Sequence, residues 1–254
     1  MTWLLLPDLI VILTLGFGLG FFGGLFGIGG GLLAVPLFVL GFGMDQATAQ
    51  GTALVLMVPN LISGWLKYQQ KISVPWQVVA ILASTATVTT FLMAKVALLL
   101  DPQTLQILFN GFLLLAGLRL FWQTREKKEL QSEPLRLAKL PFVGLAGGSS
   151  MGLLGMGGGL VATPLLTLWL KQRQITAQSL SLALVTPCSV VALTTYANAH
   201  KVDWSLGLPL ALGGLASVSL GVGLAAYLPD TLMKRLFAGL LSLTGFVLLV
   251  HALN

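Results

Sequence analysis

A ten-residue pattern that occurs twice constrains the fold of this chain more than any other feature. Residues 27–36 read Gly-Ile-Gly-Gly-Gly-Leu-Leu-Ala-Val-Pro, and residues 155–164 read Gly-Met-Gly-Gly-Gly-Leu-Val-Ala-Thr-Pro. Each glycine costs a helix interior roughly 1 kcal/mol relative to alanine. Two clusters of this kind inside apolar sequence therefore indicate breaks between helices that serve a purpose a plain helix would not.

The pattern belongs to a duplication that extends well beyond the glycines. At a constant offset, residues 27–76 match residues 155–204 at nineteen of fifty positions. Shared apolar composition explains some leucine matches, but not the aligned glycine, proline, glutamine and tryptophan. We therefore predict two transmembrane repeats, residues 1–122 and 141–254, joined by a polar linker at residues 123–140.

Composition places the chain in a lipid bilayer. Of its 254 residues, 56% are hydrophobic and 9% are charged, and the mean hydropathy is +0.92. Soluble domains carry about 25% charged residues, and one helical crossing needs about 20 apolar residues. We predict an all-α polytopic membrane protein with about 8–10 membrane helical segments. The basic residues behind the net charge of +6 sit in short loops, where they are typical of topology signals and not of nucleic-acid binding.

Each repeat is expected to contain a glycine-tipped hairpin of two helices followed by three crossing helices. The second arm of the first hairpin spans only about 17 Å, short of a hydrocarbon core of about 30 Å, so its tip is expected to stop inside the membrane. Pro59 is expected to kink or break the next helix. The first-repeat helices are predicted at residues 8–26, 32–42, 47–66, 76–100 and 102–122.

Three crossings per repeat are an odd number, so the two repeats should be inverted relative to each other. The loop charges agree with this prediction. The first-repeat turn at Asp45 carries no cation, whereas its equivalent in the second repeat carries Lys171 and Arg173. The basic linker is expected to be cytoplasmic. Lys95 and Lys201 are the two exceptions to the charge pattern.

The glycine clusters are candidates for an anion site. Backbone N–H groups left unpaired at a hairpin tip, next to a helix N-terminus, attract an anion without any charged side chain. The alternative is that the glycines only let helices pack closely. A nucleotide phosphate loop is excluded because no Gly-Lys-Ser/Thr follows. The substrate-binding candidates from these clusters are Gly29, Gly30, Gly31, Gly157, Gly158 and Gly159.

Polar residues of the third helix in each repeat form the second group of candidates. Amides and hydroxyls can donate to an anion, although helix–helix hydrogen bonding requires the same residue types. These candidates are Gln50, Thr52 and Asn60 in the first repeat, and Gln178, Ser179, Ser181 and Cys188 in the second. Cys188 is either a small buried hydrophobe or a thiol beside the path. Tyr68 and Tyr196 lie near helix ends and are expected to anchor at the membrane interface.

The acidic residues bear on ion coupling. All eight lie in loops or at segment ends, where no proton or sodium relay would normally be built. Passive or potential-driven anion movement is therefore plausible. The sequence contains no cluster with metal-ligand spacing and implies no cofactor, and its single cysteine excludes an intramolecular disulfide.

On these residues the chain resembles the sulfite exporter TauE/SafE family of bacterial membrane permeases. The resemblance rests on the doubled Gly-x-Gly-Gly-Gly-Leu-x-Ala-x-Pro pattern and on the segment from Ala47 to Ala53, with a weaker copy at residues 178–181. It implies transport of small sulfur-containing anions, such as sulfite, thiosulfate or organosulfonates, across the inner (cytoplasmic) membrane, usually outward. The second copy departs from the first where Leu180 replaces Thr52 and Cys188 replaces Asn60.

Other classes of function are less well supported by the sequence. An intramembrane hydrolase needs a Ser/His pair or paired aspartates within the spans, which the sequence does not offer. A non-transporting scaffold would not need two inverted hairpins, and a permease for a different small solute stays open. The expected partners are a small anionic substrate and the lipid bilayer, with no nucleic acid; a homo-oligomer stays open.

Overall fold

The computed structural model describes residues 6–26, 29–69, 74–123, 137–156, 158–225 and 238–246. Regular structure in these ranges is helical. The elements are α1 (Leu6–Phe26), α2 (Gly31–Phe42), α3 (Gln46–Gln69), α4 (Trp76–Leu99), α5 (Pro102–Gln123), α6 (Leu140–Leu154), α7 (Gly158–Pro164), α8 (Gln174–Asn198) and α9 (Trp204–Ala225). A 3-10 turn precedes α6, a π-helical turn (Leu165–Trp169) extends α7, and residues 238–246 are also helical.

The helix lengths confirm the all-α membrane fold. Six described helices are long and apolar enough to cross a bilayer, and two shorter apolar helices, Gly31–Phe42 and Gly158–Trp169, directly follow the glycine turns. At 1.5 Å per residue, each of these short helices is about 18 Å long. Of the predicted kink or break at Pro59, the break is wrong, because α3 continues through Pro59 to Gln69, and the kink stays a prediction. One missing N–H removes a single hydrogen bond, and the packed neighbours of α3 hold the rest of the helix together.

Two matching rows of glycine bring helices into backbone contact. A Cβ at Gly16, Gly20 or Gly24 of α1 would collide with the backbone of α9 at Leu210, Gly214 or Val218. A Cβ at Gly144, Gly148 or Gly152 of α6 would collide with α4 at Thr85, Ala86 or Thr90. Small residues at every fourth position allow this close approach in membranes. The first helix of each repeat thus packs on the fourth helix of the other repeat.

Helices α3 and α8 form the centre of the molecule and cross in opposite directions. Both are 61% buried within their spans, more than any other candidate span. Gln50, near the start of α3, contacts Tyr196 near the end of α8, whereas Gly64, late in α3, faces Leu182 early in α8. Equivalent helices that run antiparallel are what inverted repeats require. The orientation of each repeat in a membrane and the depth of the hairpin tips stay predictions, and most of the proposed linker, residues 124–136, lies outside the described residues.

Candidate functional site

The first glycine turn has a backbone that only glycine adopts readily. Gly29 and Gly30 have φ values of 72° and 88°, and Gly30 caps the N-terminus of α2. The carbonyl of Gly30 accepts hydrogen bonds from the N–H groups of Leu33 and Ala34. A Cβ on Gly30 would lie 2.7 Å from the carbonyl oxygen of Leu19. Conformation and packing therefore both require glycine here, whether or not a substrate touches this turn.

The side chain of Asn60, on α3, contacts this turn. Its Nδ2 donates to the carbonyl oxygen of Gly29 at 3.3 Å, and its side chain is 2% exposed. The Oδ1 atom of the same amide has no hydrogen-bond partner among the described residues. The structure thus brings the predicted residues Asn60, Gly29 and Gly30 together, and leaves a buried acceptor beside the helix N-terminus.

The second glycine turn is built differently. Gly155, with a φ of 65°, ends α6. Gly157 lies outside the described residues. A Cβ on Gly158 would meet the carbonyl oxygen of Gly147 at 3.0 Å, and the Ser181 hydroxyl donates to the carbonyl oxygen of Gly159 at 3.4 Å. Three predicted candidates, Gly158, Gly159 and Ser181, therefore lie together in this hairpin.

Gln50 connects the second turn with the first repeat. A Cβ on Gly155 would lie 2.8 Å from Cβ of Gln50, so the glutamine packs directly on the turn. The hydroxyl of Tyr196 donates to Gln50 Oε1 at 2.8 Å, and the carbonyl oxygen of Gly152 lies 3.4 Å from the same hydroxyl. Both side chains are fully buried, and Nε2 of Gln50 has no partner in the described part of the chain. A buried amide donor thus stands free beside the second turn.

The prediction that Tyr196 anchors at the membrane interface is wrong. Its ring is fully buried, because its hydroxyl finds its partner inside the protein and not at a lipid headgroup. The side chain of Tyr68, its counterpart in the first repeat, lies outside the described part of the structure.

Two other third-helix candidates, Thr52 and Cys188, have neighbours that explain them structurally. Thr52 accepts a hydrogen bond at 3.0 Å from the N–H of Asp203, at the start of α9. The sulfur of Cys188 lies buried, 4.0 Å from the hydroxyl of Thr87. Ser179 is buried and Gln178 is partly buried. The contacts of these residues given above do not reach either glycine turn. Gln50, Asn60 and Ser181 are the polar candidates that lie at a turn.

Known proteins identify the family. The profile of the sulfite exporter TauE/SafE family matches residues 12–248. The chain belongs to this family. A probable membrane transporter protein of Xylella fastidiosa is 30% identical over 89% of this chain and 90% of its own length. Probable membrane transporter proteins of Methanocaldococcus jannaschii (MJ0441) and Bacillus subtilis (YdhB) are 25% and 23% identical over at least 95% of each chain. No solved structure matches the chain significantly.

Membership of the TauE/SafE family makes this protein a multi-pass membrane transporter and not an enzyme. The doubled glycine pattern therefore pointed to the correct family. The relatives' names state transport but no substrate, so the substrate and the direction do not follow from them.

Two residues of this TauE/SafE protein were missed as candidates although both were visible in the repeat match. Gln46, one turn before Gln50 on the same face of α3, is buried with both amide atoms unpartnered among the described residues. Tyr196 holds Gln50. The pairs Gln46/Gln174 and Tyr68/Tyr196 are identical between the repeats, and identity of polar residues across a duplication was the available signal.

Charges of the TauE/SafE chain are kept at the helix ends. None of the six candidate spans contains Asp or Glu. Asp45, just before α3, pairs with Lys201 of the α8–α9 loop at 3.3 Å. Partial burial is the largest influence on the Asp45 pKa and raises it, but hydrogen bonds from Thr48 and the charge of Lys201 together lower the pKa below its usual value. This ion pair fastens the loop of one repeat to the helix start of the other.

Proposed function

We propose that this protein carries small sulfur oxyanions, such as sulfite, thiosulfate or an organosulfonate, outward across the cytoplasmic membrane. One observation carries the proposal: the unpartnered Nε2 of Gln50, fully buried beside Gly155. A buried donor without a partner costs about 1–3 kcal/mol, which a ligand that accepts its hydrogen bond recovers. Anionic oxygen is the acceptor that gives the strongest such bond.

The surroundings of Gln50 favour an anion over a cation. The six candidate spans lack carboxylates, which are the usual partners of a cation in a membrane. Gln46, one turn away, supplies a second buried amide between Gln50 and the helix end where Asp45 meets Lys201. The two amides form a neutral polar track along α3 that leads to the second glycine turn.

The absence of acidic residues from the six candidate spans supports an outward direction. A cell interior is electrically negative, and moving one charge across 100 mV changes the free energy by about 2.3 kcal/mol. An anion that crosses without a coupled cation is therefore driven out of the cell. The matching family profile, which describes sulfite exporters, supports both this direction and the sulfur chemistry.

The test is flux in proteoliposomes of purified protein under an imposed potential. Sulfite should leave inside-negative vesicles faster than vesicles without a potential. Gln50→Leu should reduce the flux at least tenfold, because leucine removes the donor while filling a similar volume. In this variant the Tyr196 hydroxyl still has the Gly152 carbonyl oxygen as an acceptor at 3.4 Å. Gln77→Leu, an exposed glutamine at the start of α4, is the matched control and should keep normal flux.

Three outcomes would overturn the proposal. Wild-type flux in Gln50→Leu would show that Gln50 does not bind the substrate. Flux of a neutral or cationic solute, with none of sulfite, thiosulfate or methanesulfonate, would point to a permease for a different small solute, and no flux of any solute would favour the non-transporting scaffold.

A further inference from the structure

We infer that the first glycine turn binds an oxyanion that carries its own hydrogen-bond donor, such as hydrogensulfite, in preference to a donor-free anion such as sulfate or methanesulfonate. The inference rests on the proposed transport of sulfur anions and deepens it, because among those anions it favours hydrogensulfite over the donor-free thiosulfate and organosulfonates.

One half of the proposed site is the amide of Asn60. Its Nδ2 is fixed on the carbonyl oxygen of Gly29 at 3.3 Å, which determines which end of the amide is nitrogen. Oδ1, bonded to the same carbon, is buried beside the turn without a partner among the described residues. A hydrogen donated by a ligand would satisfy this buried acceptor and recover the cost of leaving it unpaired.

The second half is the N-terminus of α2, a helix of 12 residues. The N–H groups of its first turn at Gly31 and Leu32 have no acceptor within the helix, and the helix dipole is positive at this end. These groups require a negatively charged acceptor. The turn can therefore donate hydrogen bonds to an anionic oxygen and, next to it, accept one from a ligand O–H. A protonated oxyanion makes both kinds of hydrogen bond.

The second turn does not impose the same requirement. Gln50 offers a free donor there, and it precedes Asn60 by ten residues, about 15 Å along α3. The residue that matches Asn60 in the second repeat is Cys188, whose sulfur is a weak acceptor. The second turn thus accepts any oxyanion, whereas the first turn distinguishes a protonated oxyanion from a deprotonated one.

Protein groups that titrate near neutral pH are few around Asn60. The helices packed on α3 carry Asp8 on α1, Arg119 on α5, and Cys188 and Tyr196 on α8, and α3 itself carries Lys67 and Tyr68. Unperturbed values for these types lie below 5 or above 8. His200 lies in the loop near the opposite end of α3, next to Lys201. Sulfite itself takes up a proton near neutral pH, so the ligand is the group that titrates.

The experiment measures binding by thermal stabilisation of the full-length purified protein in detergent, with sulfite at a series of pH values from about 6 to 8.5. Methanesulfonate and sulfate serve as donor-free probes. In the wild type, the apparent affinity for total sulfite should fall by about tenfold per pH unit once sulfite is mostly deprotonated. Asn60→Cys, which installs the residue of the second repeat, should bind at least tenfold more weakly at pH 6 and lose this pH dependence. Thr89→Val, which removes a buried hydroxyl of α4 that donates to the Thr85 carbonyl at 2.7 Å, is the control and should keep the wild-type profile.

Each result separates this inference from the proposed function. A wild-type affinity that is independent of pH, or sulfate and methanesulfonate binding as tightly as hydrogensulfite, overturns the inference and leaves sulfur-anion transport standing. A pH profile that survives in Asn60→Cys also overturns it, because a group other than Asn60 then causes the pH dependence. His200 is present in every variant and cannot cause a difference between them. No binding of any sulfur anion at any pH overturns the proposed function and the inference together.

Discussion

The two glycine turns share a sequence pattern but differ in the hydrogen-bonding capacity that they leave unused. At the first turn, the leftover group is an acceptor, Oδ1 of Asn60. At the second, it is a donor, Nε2 of Gln50, which the antiparallel crossing of α3 and α8 brings over from the other repeat. The helices after the turns differ as well, since α2 is regular whereas α7 passes into a π-helical turn after Pro164.

This difference shows where a duplicated transporter is free to diverge. Gly30 and Gly158 of the turns, like the glycine rows that join the halves, lie against backbone atoms that cannot move aside easily. Side chains that reach the turns from α3 and α8 are not constrained in this way. Asn60 and Cys188 occupy equivalent positions with different chemistry, and Asn60 contacts Gly29 whereas Cys188 lies near Thr87 of α4. A duplication can therefore keep its framework while the polar side chains around the two turns diverge.

The largest expected difference between the turns concerns stability. Gly30→Ala places a Cβ at a φ of 88° and 2.7 Å from the Leu19 carbonyl. A left-handed alanine costs about 1–2 kcal/mol and overpacking about 1–3 kcal/mol, so we expect a loss of about 3 kcal/mol. Gly158→Ala, with ordinary φ and contacts of 3.0–3.3 Å, should cost only about 1 kcal/mol. Thermal unfolding of the two purified variants measures both losses.

Gly43→Ala calibrates this comparison. Gly43 has a φ of 64° but nothing within 4 Å of its missing Cβ, so the variant isolates the conformational cost. If Gly30→Ala is no worse than Gly43→Ala, packing against α1 does not constrain the first turn. Because Gly30 is needed for the fold, loss of flux in a Gly30 variant cannot establish substrate contact; Gln50 and Asn60 can.

Sequence reasoning predicted the helices well because lipid leaves few alternatives. In a bilayer, backbone groups must be satisfied internally, so apolar runs between glycine and proline signals become helices. Predicted segment 76–100 became α4, and 32–42 became α2, each within one residue. A break at Pro59 did not occur, because the loss of one hydrogen bond was outweighed by the packing of a central helix.

The site was harder to predict because it depends on contacts between the repeats. Thr52 and Gln50 are one turn apart or less and equally buried, yet Thr52 holds the start of α9 and Gln50 reaches the second turn. Helical periodicity places both on α3 but does not say what packs on either. Tyr196 near a helix end suggested the interface, and only the antiparallel crossing with α3 reveals that this end is buried.

A smaller effect tests whether Tyr196 positions Gln50. Tyr196→Phe removes the donor to Oε1 and lets the amide rotate, so the KM for sulfite transport should rise about fivefold or more while the maximal rate changes less. The lost interhelical hydrogen bond should lower stability by about 0.6–2 kcal/mol. Ser217→Ala removes another buried hydroxyl, which donates to the Phe17 carbonyl at 2.6 Å, and should lower stability without changing KM. An equal rise of KM in both variants would reduce Tyr196 to a structural role.

The smallest effect concerns the starts of the two central helices. Asp45 accepts hydrogen bonds from the N–H and hydroxyl of Thr48, whereas Arg173, its counterpart before α8, makes no capping side-chain bond. Asp45→Asn keeps an acceptor at this cap but removes the charge that faces Lys201, so the loss should be below about 1 kcal/mol and shrink in high salt.

The pH dependence of this pair has a defined sign. Because the folded protein lowers the Asp45 pKa below its usual 3.8, the carboxylate contributes stability above that value and loses its contribution as the pH falls through the folded pKa. The difference in unfolding temperature between wild type and Asp45→Asn should therefore be constant at neutral pH and shrink as the pH falls below 3.8 and through the lowered pKa of the folded state. A difference that persists in acid would mean that the hydrogen bonds to Thr48, and not the charge facing Lys201, distinguish the start of α3 from the start of α8.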